Sequence, residues 1–453
     1  MQYEEALRYL LSLGRELASP RQAHVQKFDL QNISALAEGM GHPERCAPCV
    51  HIAGTNGKGS TAAMMESILR AAGMRTGLYT SPHLQRINER IRINGKPVSD
   101  ARFAEAFKRV LAAIEALMAS GALPAHPTFF ECMTAIAFDV FARNGIEFAI
   151  YEVGMGGRLD ATNIVTPEVS IITQIDFDHE AYLGHSLEEI AAEKAGIIKP
   201  ESIVVSAAER PEARAVIARR CKDQHARLVE IDDAWRVNEI VPDVFGNHAT
   251  ARWLADSSAI ELQIPLAGNF QVRNALTAAA AAKVLIERGF ALDAAAIERG
   301  VSKVQWPGRI EHVAEHPDVY LDGAHNPAAA RELHAFWDER LAGRRIILVY
   351  GAMRDKAVDE IAGVLFPRAE HVILTQPHQS RAISADLLAR MTCHHATQCE
   401  SIADATLAID RALLLAGENC AVFITGSLFL VGEARSRFCE KTPNLHICLL
   451  YTS

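Results

Sequence analysis

From Cys49 onward, short apolar runs alternate with longer stretches whose apolar positions recur at helical spacing. The run CVHIAG is followed by a helical pattern from Ser60 to about Ala72, stopped by Gly73. FAIYEVG and VSIITQID are near-continuous apolar runs with β-branched residues, as expected of strands covered on both faces, and SIVVSA follows a further helical segment. This alternation predicts a mostly parallel sheet with helices on both sides. Between about Arg227 and Ala267 the pattern shortens to alternating segments such as SAIELQIPL, which predicts a small antiparallel excursion. A long alanine-rich helix, NFQVRNALTAAAAAKVLIERG, follows and ends at Gly289. After WPGRIE the strand–helix rhythm resumes in VYLDGAHN, RRIILVYGA, HVILTQP and CAVFITGS, predicting four strands in a second, smaller α/β domain. The expected division is 1–303 and 304–440. Residues 441–453 include NLHICLLYTS, which fits no element and need not belong to the natural protein.

Composition agrees with two domains, since 453 residues exceed what one ordinary core organises. A net charge of −9 argues against a sequence-independent nucleic-acid binder. Anionic small substrates remain compatible with it, because local Lys, Arg or Mg²⁺ can reverse the field. The opening MQYEEALRYLLSLGRELA carries early acids and reads as an amphipathic helix, not a signal peptide, and no run is long enough to span a bilayer. Nine scattered cysteines suggest reduced thiols in a cytoplasm. A zinc site built on Cys46 and Cys49 would need partners from Cys393, His394, His395 and Cys399, hundreds of residues away; ordinary thiols are the better reading.

The stretch VHIAGTNGKGSTAAMM departs from G-x-x-x-x-G-K-[ST], because Gly57-Lys58 is followed by Gly59 and the hydroxyl arrives at Ser60. The requirements of a phosphate loop nevertheless survive. A strand leads in and a helix leads out. Gly54, Gly57 and Gly59 let backbone N–H groups turn inward, Lys58 adds a mobile charge, and Ser60 can cap the helix or contact a metal. Glu152 ends an apolar strand, where open α/β sheets place ligand crevices, and His179 follows the acids Asp176 and Asp178 in a cation-friendly locality. Ser186 and Glu189 form a capping box, which puts Lys194 in the last turn of a helix, a position where a lysine is ordinarily on the surface.

The spelling Gly54-Thr55-Asn56-Gly57-Lys58-Gly59-Ser60 resembles the ATP loop of the Mur-ligase superfamily, and most of all that of folylpolyglutamate synthases, including the bacterial form that is also a dihydrofolate synthase. Mur ligases themselves usually carry Thr where Gly59 stands. The resemblance continues through TSPHLQRINERIRING, TFFECMTAIAF, YEVGMGGRLDATN, DFDHEAYLG, EKAGIIK, GNFQVRNALTA, WPGRIE, LDGAHNP and TGSLFLVGEAR, nearly the whole chain. It implies an ATP-dependent amide ligase that phosphorylates a carboxylate on a pterin-bearing substrate and transfers the acyl group to the amine of L-glutamate. The substrates implied are ATP, L-glutamate and dihydropteroate or folates.

The resemblance also implies roles. Asn56, Gly57, Lys58, Gly59 and Ser60 hold ATP phosphates, with Asn274, Arg309 and Asp322 at base, phosphate and ribose. Ser60, Ser81, Glu152, His179 and carbamylated Lys194 serve two Mg²⁺ sites; a monovalent-cation requirement stays open. Only a neutral amine takes up CO₂, so the lysine's pKa must be depressed, an effect expected of nearby Mg²⁺. Phe28, Asp29, Thr128, Phe129, Leu159, Asp160 and Ala161 face the pterin, with Phe129 stacking and Asp160 bonding the amino-pyrimidine edge. Core packing is an equal expectation for Phe129. His325 and Ser427 meet glutamate, with Lys58, Lys194 and His325 as the catalytic set. One departure is Asp355-Lys356-Ala357, where the family often reads D-K-D. Two other readings are carried: a Mur-type cell-wall amino-acid ligase, and a P-loop nucleotide switch. A cytoplasmic monomer without membrane or nucleic-acid partners fits the two-domain design.

Overall fold

The computed structural model describes residues 2–13 and 29–439. Phe28 and the tail 441–453 therefore lie outside the described residues, and the expected N-terminal helix is seen as Tyr3–Ser12. Strands Cys49–Ala53 (β1), Thr76–Tyr79 (β2), Ile91–Ile93 (β3), Lys96–Pro97 (β4), Phe148–Glu152 (β5), Val169–Ile172 (β6), Ile203–Ser206 (β7) and Arg227–Glu230 (β8) form one sheet, ordered β4-β3-β2-β5-β1-β6-β7-β8. All its pairings are parallel except those of β3 with β2 and β4. The apolar runs that predicted two-sided burial, β1, β5 and β6, are buried at every position.

The antiparallel excursion is narrower than expected. β8 pairs parallel with β7 and belongs to the large sheet. The three-stranded antiparallel sheet comprises Trp235–Pro242 (β9), Asn247–Trp253 (β10) and Ala259–Ile264 (β11). Its apolar face, including Trp253, Ile260 and Leu262, joins the core around the helix Phe270–Glu287. Alanines 278–282 of that helix are fully buried. Small side chains there permit close approach to the helix Lys58–Ala71 that leaves the phosphate loop.

A second sheet comprises Glu311–Ala314 (β12), Asp318–Leu321 (β13), Arg345–Tyr350 (β14), His371–Gln376 (β15), Cys399–Asp404 (β16) and Cys420–Thr425 (β17), ordered β12-β13-β17-β14-β15-β16. Only the β12–β13 pairing is antiparallel. Six strands stand where four were expected. The two missed, β12 and β16, are the sheet edges, and no position of either is fully buried, so neither shows a continuous apolar run. A further correction concerns the thiols: Cys393 and Cys399 are joined in a disulfide, while Cys46, Cys49, Cys132, Cys221, Cys420 and Cys439 are free. Among the described residues, no helix is long and apolar enough to cross a membrane.

Candidate active site

The phosphate loop springs from the carboxyl end of β1. Gly54 (φ +150°) and Gly57 (φ +86°) occupy backbone regions that side chains disfavour. Both also lie against neighbours: a Cβ on Gly54 would stand 1.8 Å from Thr173 Oγ1, and one on Gly57 2.3 Å from Asn274 Oδ1. The loop is clamped to the segment after β6. Thr55 N–H donates to the Gln174 carbonyl at 2.7 Å, and Thr173 Oγ1 donates to the Asn56 carbonyl at 2.7 Å. The helix begins at Lys58 with Gly57 as its N-cap, so Ser60, although buried, does not cap it. Gly59 faces Trp306: a Cβ there would come within 3.0 Å of the indole nitrogen. A bulkier residue at 59 and the indole would compete for this space, a physical reason for glycine where Mur ligases carry threonine.

Two lysines converge on one atom of this loop. Lys58 Nζ donates to the Gly54 carbonyl at 3.0 Å and to the Thr55 carbonyl at 3.1 Å. Lys194 Nζ donates to the same Gly54 carbonyl at 2.9 Å. Lys194 is in the last turn of Leu187–Ala195, as the capping box predicted, but its side chain is buried, not on the surface. Burial, reinforced by the charge of Lys58, lowers its pKa to about 7. The expected depression is thus present, and desolvation by burial is its leading cause among the protein's own groups. Burial also lowers the Lys58 pKa, against the opposing pull of Glu152 and Asp178.

Glu152 ends β5 and is buried. Burial raises its pKa to about 7, against the counter-effect of Lys58. Its carboxylate accepts the Ser81 N–H at 3.1 Å, one bond against roughly four lone-pair sites. A buried carboxylate with that spare capacity, beside the hydroxyl-bearing Ser81, offers donors suited to a hard divalent cation. Gly59, Ser81, Glu152, Trp306 and Arg309 line one cleft, so the arginine of WPGRIE already faces the first-lobe residues.

The second sheet's carboxyl ends approach the same loop. Asp322 follows β13, and its two oxygens accept the N–H groups of Ile310 (2.9 Å) and Ala324 (2.8 Å). Ser427 follows β17 and caps the helix Leu428–Phe438, accepting the Phe429 N–H at 3.2 Å. His325 Nδ1 lies 2.7 Å from the Gly323 carbonyl, and its Nε2 is 3.6 Å from Asp178 Oδ2. His179 sits in this group too, with Nε2 3.8 Å from Asp178 Oδ2. Burial, with the charge of Lys356 adding to it, lowers its pKa to about 3, keeping the imidazole neutral.

Asp178 is where the lobes meet. Lys356 Nζ donates to it at 2.7 Å and Asn326 Nδ2 at 3.2 Å, while Asn326 Nδ2 also donates to Asn56 Oδ1 in the loop at 2.9 Å. Asp176 similarly takes Arg331 of the second lobe at 3.3 Å. Burial raises the Asp178 pKa, but the contacts of His325 and Lys356 outweigh it and hold the carboxyl far below its usual range. The acids read as a cation-friendly locality are therefore engaged by cations of the other lobe. Lys356 and Asn326 carried no sequence signal for this role, because their partners lie 178 and 148 positions away. Ala357, the departure from D-K-D, is the N-cap of Val358–Leu365 and provides no side-chain cap; the cross-lobe contact belongs to Lys356.

The residues expected at the pterin also hold local structure together. Asp160 is buried, and its carboxylate accepts N–H groups from Gly154, Met155 and Thr162, each at 3.0 Å. Ala161 is buried in the short turn that Asp160 caps, and Leu159 is half-buried. Thr128 caps Phe129–Arg143 through a capping box with Glu131. Phe129 packs in the core, with the Arg90 guanidinium carbon 5.5 Å from its ring centroid. Asp29 accepts the Gln31 N–H at 2.9 Å.

This architecture has known counterparts. Residues 52–282 match the Mur ligase middle domain and 308–428 the Mur ligase glutamate ligase domain. The dihydrofolate synthase/folylpolyglutamate synthase of Bacillus subtilis is 36% identical over 418 residues, covering 91% of this chain and 95% of that protein. The protein of the same name from Mycobacterium tuberculosis is 34% identical over 437 residues, covering 90% of each. Among solved structures, Mycobacterium tuberculosis folylpolyglutamate synthase complexed with ADP and AMPPCP aligns with a TM-score of 0.86 at 32% identity, over 96% of this chain and 99% of that one. E. coli FolC in complex with DHPP and ADP aligns with a TM-score of 0.84 at 29% identity, over 96% and 97%.

Proposed function

Because the chain belongs to the dihydrofolate synthase/folylpolyglutamate synthase branch of the Mur ligases, we propose that it adds L-glutamate to folates, and to dihydropteroate, in an ATP-dependent, ADP-forming amide ligation. The observation that carries this reading is the convergence of Lys58 and Lys194 on the Gly54 carbonyl, in a glycine loop facing Glu152. In the reaction the substrate carboxylate attacks the γ-phosphorus and ADP departs. The glutamate amine then attacks the acyl phosphate, releasing phosphate and a proton. Two anions must meet in the first step, and a preorganised cationic site lowers that barrier.

In this reading Lys58 exchanges its carbonyl partners for the γ-phosphate, and the N–H groups of Asn56 to Ser60 hold the phosphate chain. Asn274, already against Gly57, contributes to the base side, and Asp322 offers its remaining lone pairs to the ribose. Arg309 approaches the transferring phosphate from the second lobe. Ser60, Ser81, Glu152 and His179 would hold Mg²⁺, with Lys194, neutral enough near pH 7 to take up CO₂, as a carbamate donor. The metal, when bound, supplies charge neutralisation of the phosphates. His325 and Ser427 orient glutamate on the opposite side, and Asp29, Thr128 and residues 159–161 border the pterin. The two lobes correspond to 1–303 and 304–440, and the protein works as a cytoplasmic monomer.

The test is ADP release with ATP, Mg²⁺, glutamate and either tetrahydrofolate or dihydropteroate. Stoichiometric ADP and amide formation requiring both organic substrates is expected, and the ratio of the two acceptor rates decides whether both activities are present. ADP release indifferent to glutamate and pterin would overturn the reading in favour of a nucleotide switch.

A further inference from the structure

The second lobe carries a polar cluster that the proposed reaction does not use. Asp359 stands in the first turn of Val358–Leu365, and His394 and His395 form the turn Cys393–His395 after the helix Ala385–Thr392. One donor atom from each of the three lies within 4.8 Å of the others. His395 Nε2 is 2.9 Å and His394 Nε2 3.6 Å from the same oxygen, Asp359 Oδ1. The two rings are held side by side, with centroids 4.0 Å apart. The Cys393–Cys399 disulfide ties this turn to the first residue of β16, closing a short loop around both histidines. One helical turn past Asp359 stands Gly363. His395 Cε1 lies 3.5 Å from where its Cβ would be, so no side chain stands between helix and imidazole.

We propose that Asp359, His394 and His395 form a binding site for one divalent cation of the zinc class. A tetrahedral ion with ligand bonds of about 2.0–2.1 Å needs donors roughly 3.3 Å apart. The two histidine-to-carboxylate spacings, 2.9 and 3.6 Å, bracket that value, and all three donor atoms lie within 4.8 Å of one another. Two imidazoles and one carboxylate leave a fourth position for water. The donor set also defines selectivity: imidazole nitrogen suits zinc, cobalt and nickel, whereas Mg²⁺ prefers an oxygen shell, so the magnesium that accompanies ATP is a poor competitor. Asp359 and His394 are exposed, which gives the ion a direct path from solvent. The pairing joins positions 359 and 394–395, so a bound ion pins the helix Val358–Leu365 to the edge of the sheet at β16. This differs from a zinc site assembled with Cys46 and Cys49: it needs neither of them, nor a free thiol.

The experiment is zinc titration of the untagged, full-length protein with its disulfide intact, in excess Mg²⁺-ADP to occupy the nucleotide site. One equivalent of Zn²⁺ is expected to bind. Asp359→Ala and His394→Gln are each expected to weaken binding at least about tenfold, and the triple variant with His395→Gln to abolish it. Because Asp359 and His394 are exposed and His395 is only partly buried, the variants are expected to fold and to keep the parent's ligase rate. Cobalt(II) should give visible ligand-field absorption in the parent that the variants lack. Failure of the parent to bind zinc, or equal affinity in the triple variant, would overturn the proposal and leave Asp359–His395 as an ordinary hydrogen-bonded ion pair. Neither outcome bears on the ligase reading, since none of the three residues touches its site.

Discussion

The two lobes are built on the same principle, parallel strands whose carboxyl ends carry polar residues, yet they treat those residues differently. In the first lobe, Lys58, Glu152 and Lys194 have pKa values moved by burial, and the two lysines share one carbonyl. In the second lobe, Asp322 and Ser427 spend hydrogen bonds on their own backbone, as turn and helix caps. Its outward reach comes from His325, Asn326 and Lys356, all directed at Asp178. The difference teaches a division of labour. The first lobe stores electrostatic cost in two buried lysines at the loop where phosphate charge is to be met, and the second presents a few groups across the junction. Stored cost of this kind is what a transition state can recover.

The comparison breaks most directly at Lys58. Lys58→Ala is expected to lower kcat/KM for glutamate-dependent ADP formation about a thousandfold or more, roughly 4 kcal/mol of transition-state stabilisation. Steady-state kinetics that left the rate near normal would remove the charge-gathering role assigned to the first lobe.

Lys194 sharpens it. Unfolded, a lysine keeps its proton to about pH 10.4; folded, this one releases it at about 7. Between those values the unfolded chain binds more protons, so raising the pH stabilises the fold. Below about pH 7 the group contributes no slope, and its full penalty is present. The slope starts at about half its limit at pH 7 and approaches about 1.4 kcal/mol per pH unit, which sums to roughly 2.3 kcal/mol between pH 7 and 9. Denaturant unfolding in CO₂-free buffer should show this rise in the parent and lose it in Lys194→Met. Adding bicarbonate and Mg²⁺ should increase the intact mass of the parent, and not of the variant, by one carbamate.

The smallest effect is expected at the junction. Asp178→Asn leaves Lys356 facing a neutral amide, and a loss of about tenfold in kcat/KM is expected, near 1.4 kcal/mol, with the isolated phosphate loop intact. An unchanged glutamate KM and unchanged compactness by small-angle scattering would show that the lobes are held by other contacts.

Much of this was legible along the chain. β1, β5, β6 and the glycine loop were readable because two-sided burial imposes continuous apolar runs and because a phosphate loop needs glycine at particular turns. The capping box at Ser186 placed Lys194 in its helix correctly. What escaped the reading was non-local. β8 was grouped with the antiparallel strands because strand direction is set by its partner β7, which local alternation does not encode. β12 and β16 were missed because edge strands are incompletely covered and need no apolar run. Asp160 and Phe129 carry a binding expectation from the resemblance; that Asp160 also caps a turn and Phe129 also packs in the core rests on contacts that local spacing does not encode.

The sequence by itself determined the buried strands, the phosphate loop and the family, because periodicity and short motifs are written in adjacent residues. Only the tertiary structure decided which of those residues are charged, shared or engaged. Desolvation and pairing depend on what distant segments bring alongside: Lys194 against Gly54, Trp306 against Gly59, Lys356 against Asp178.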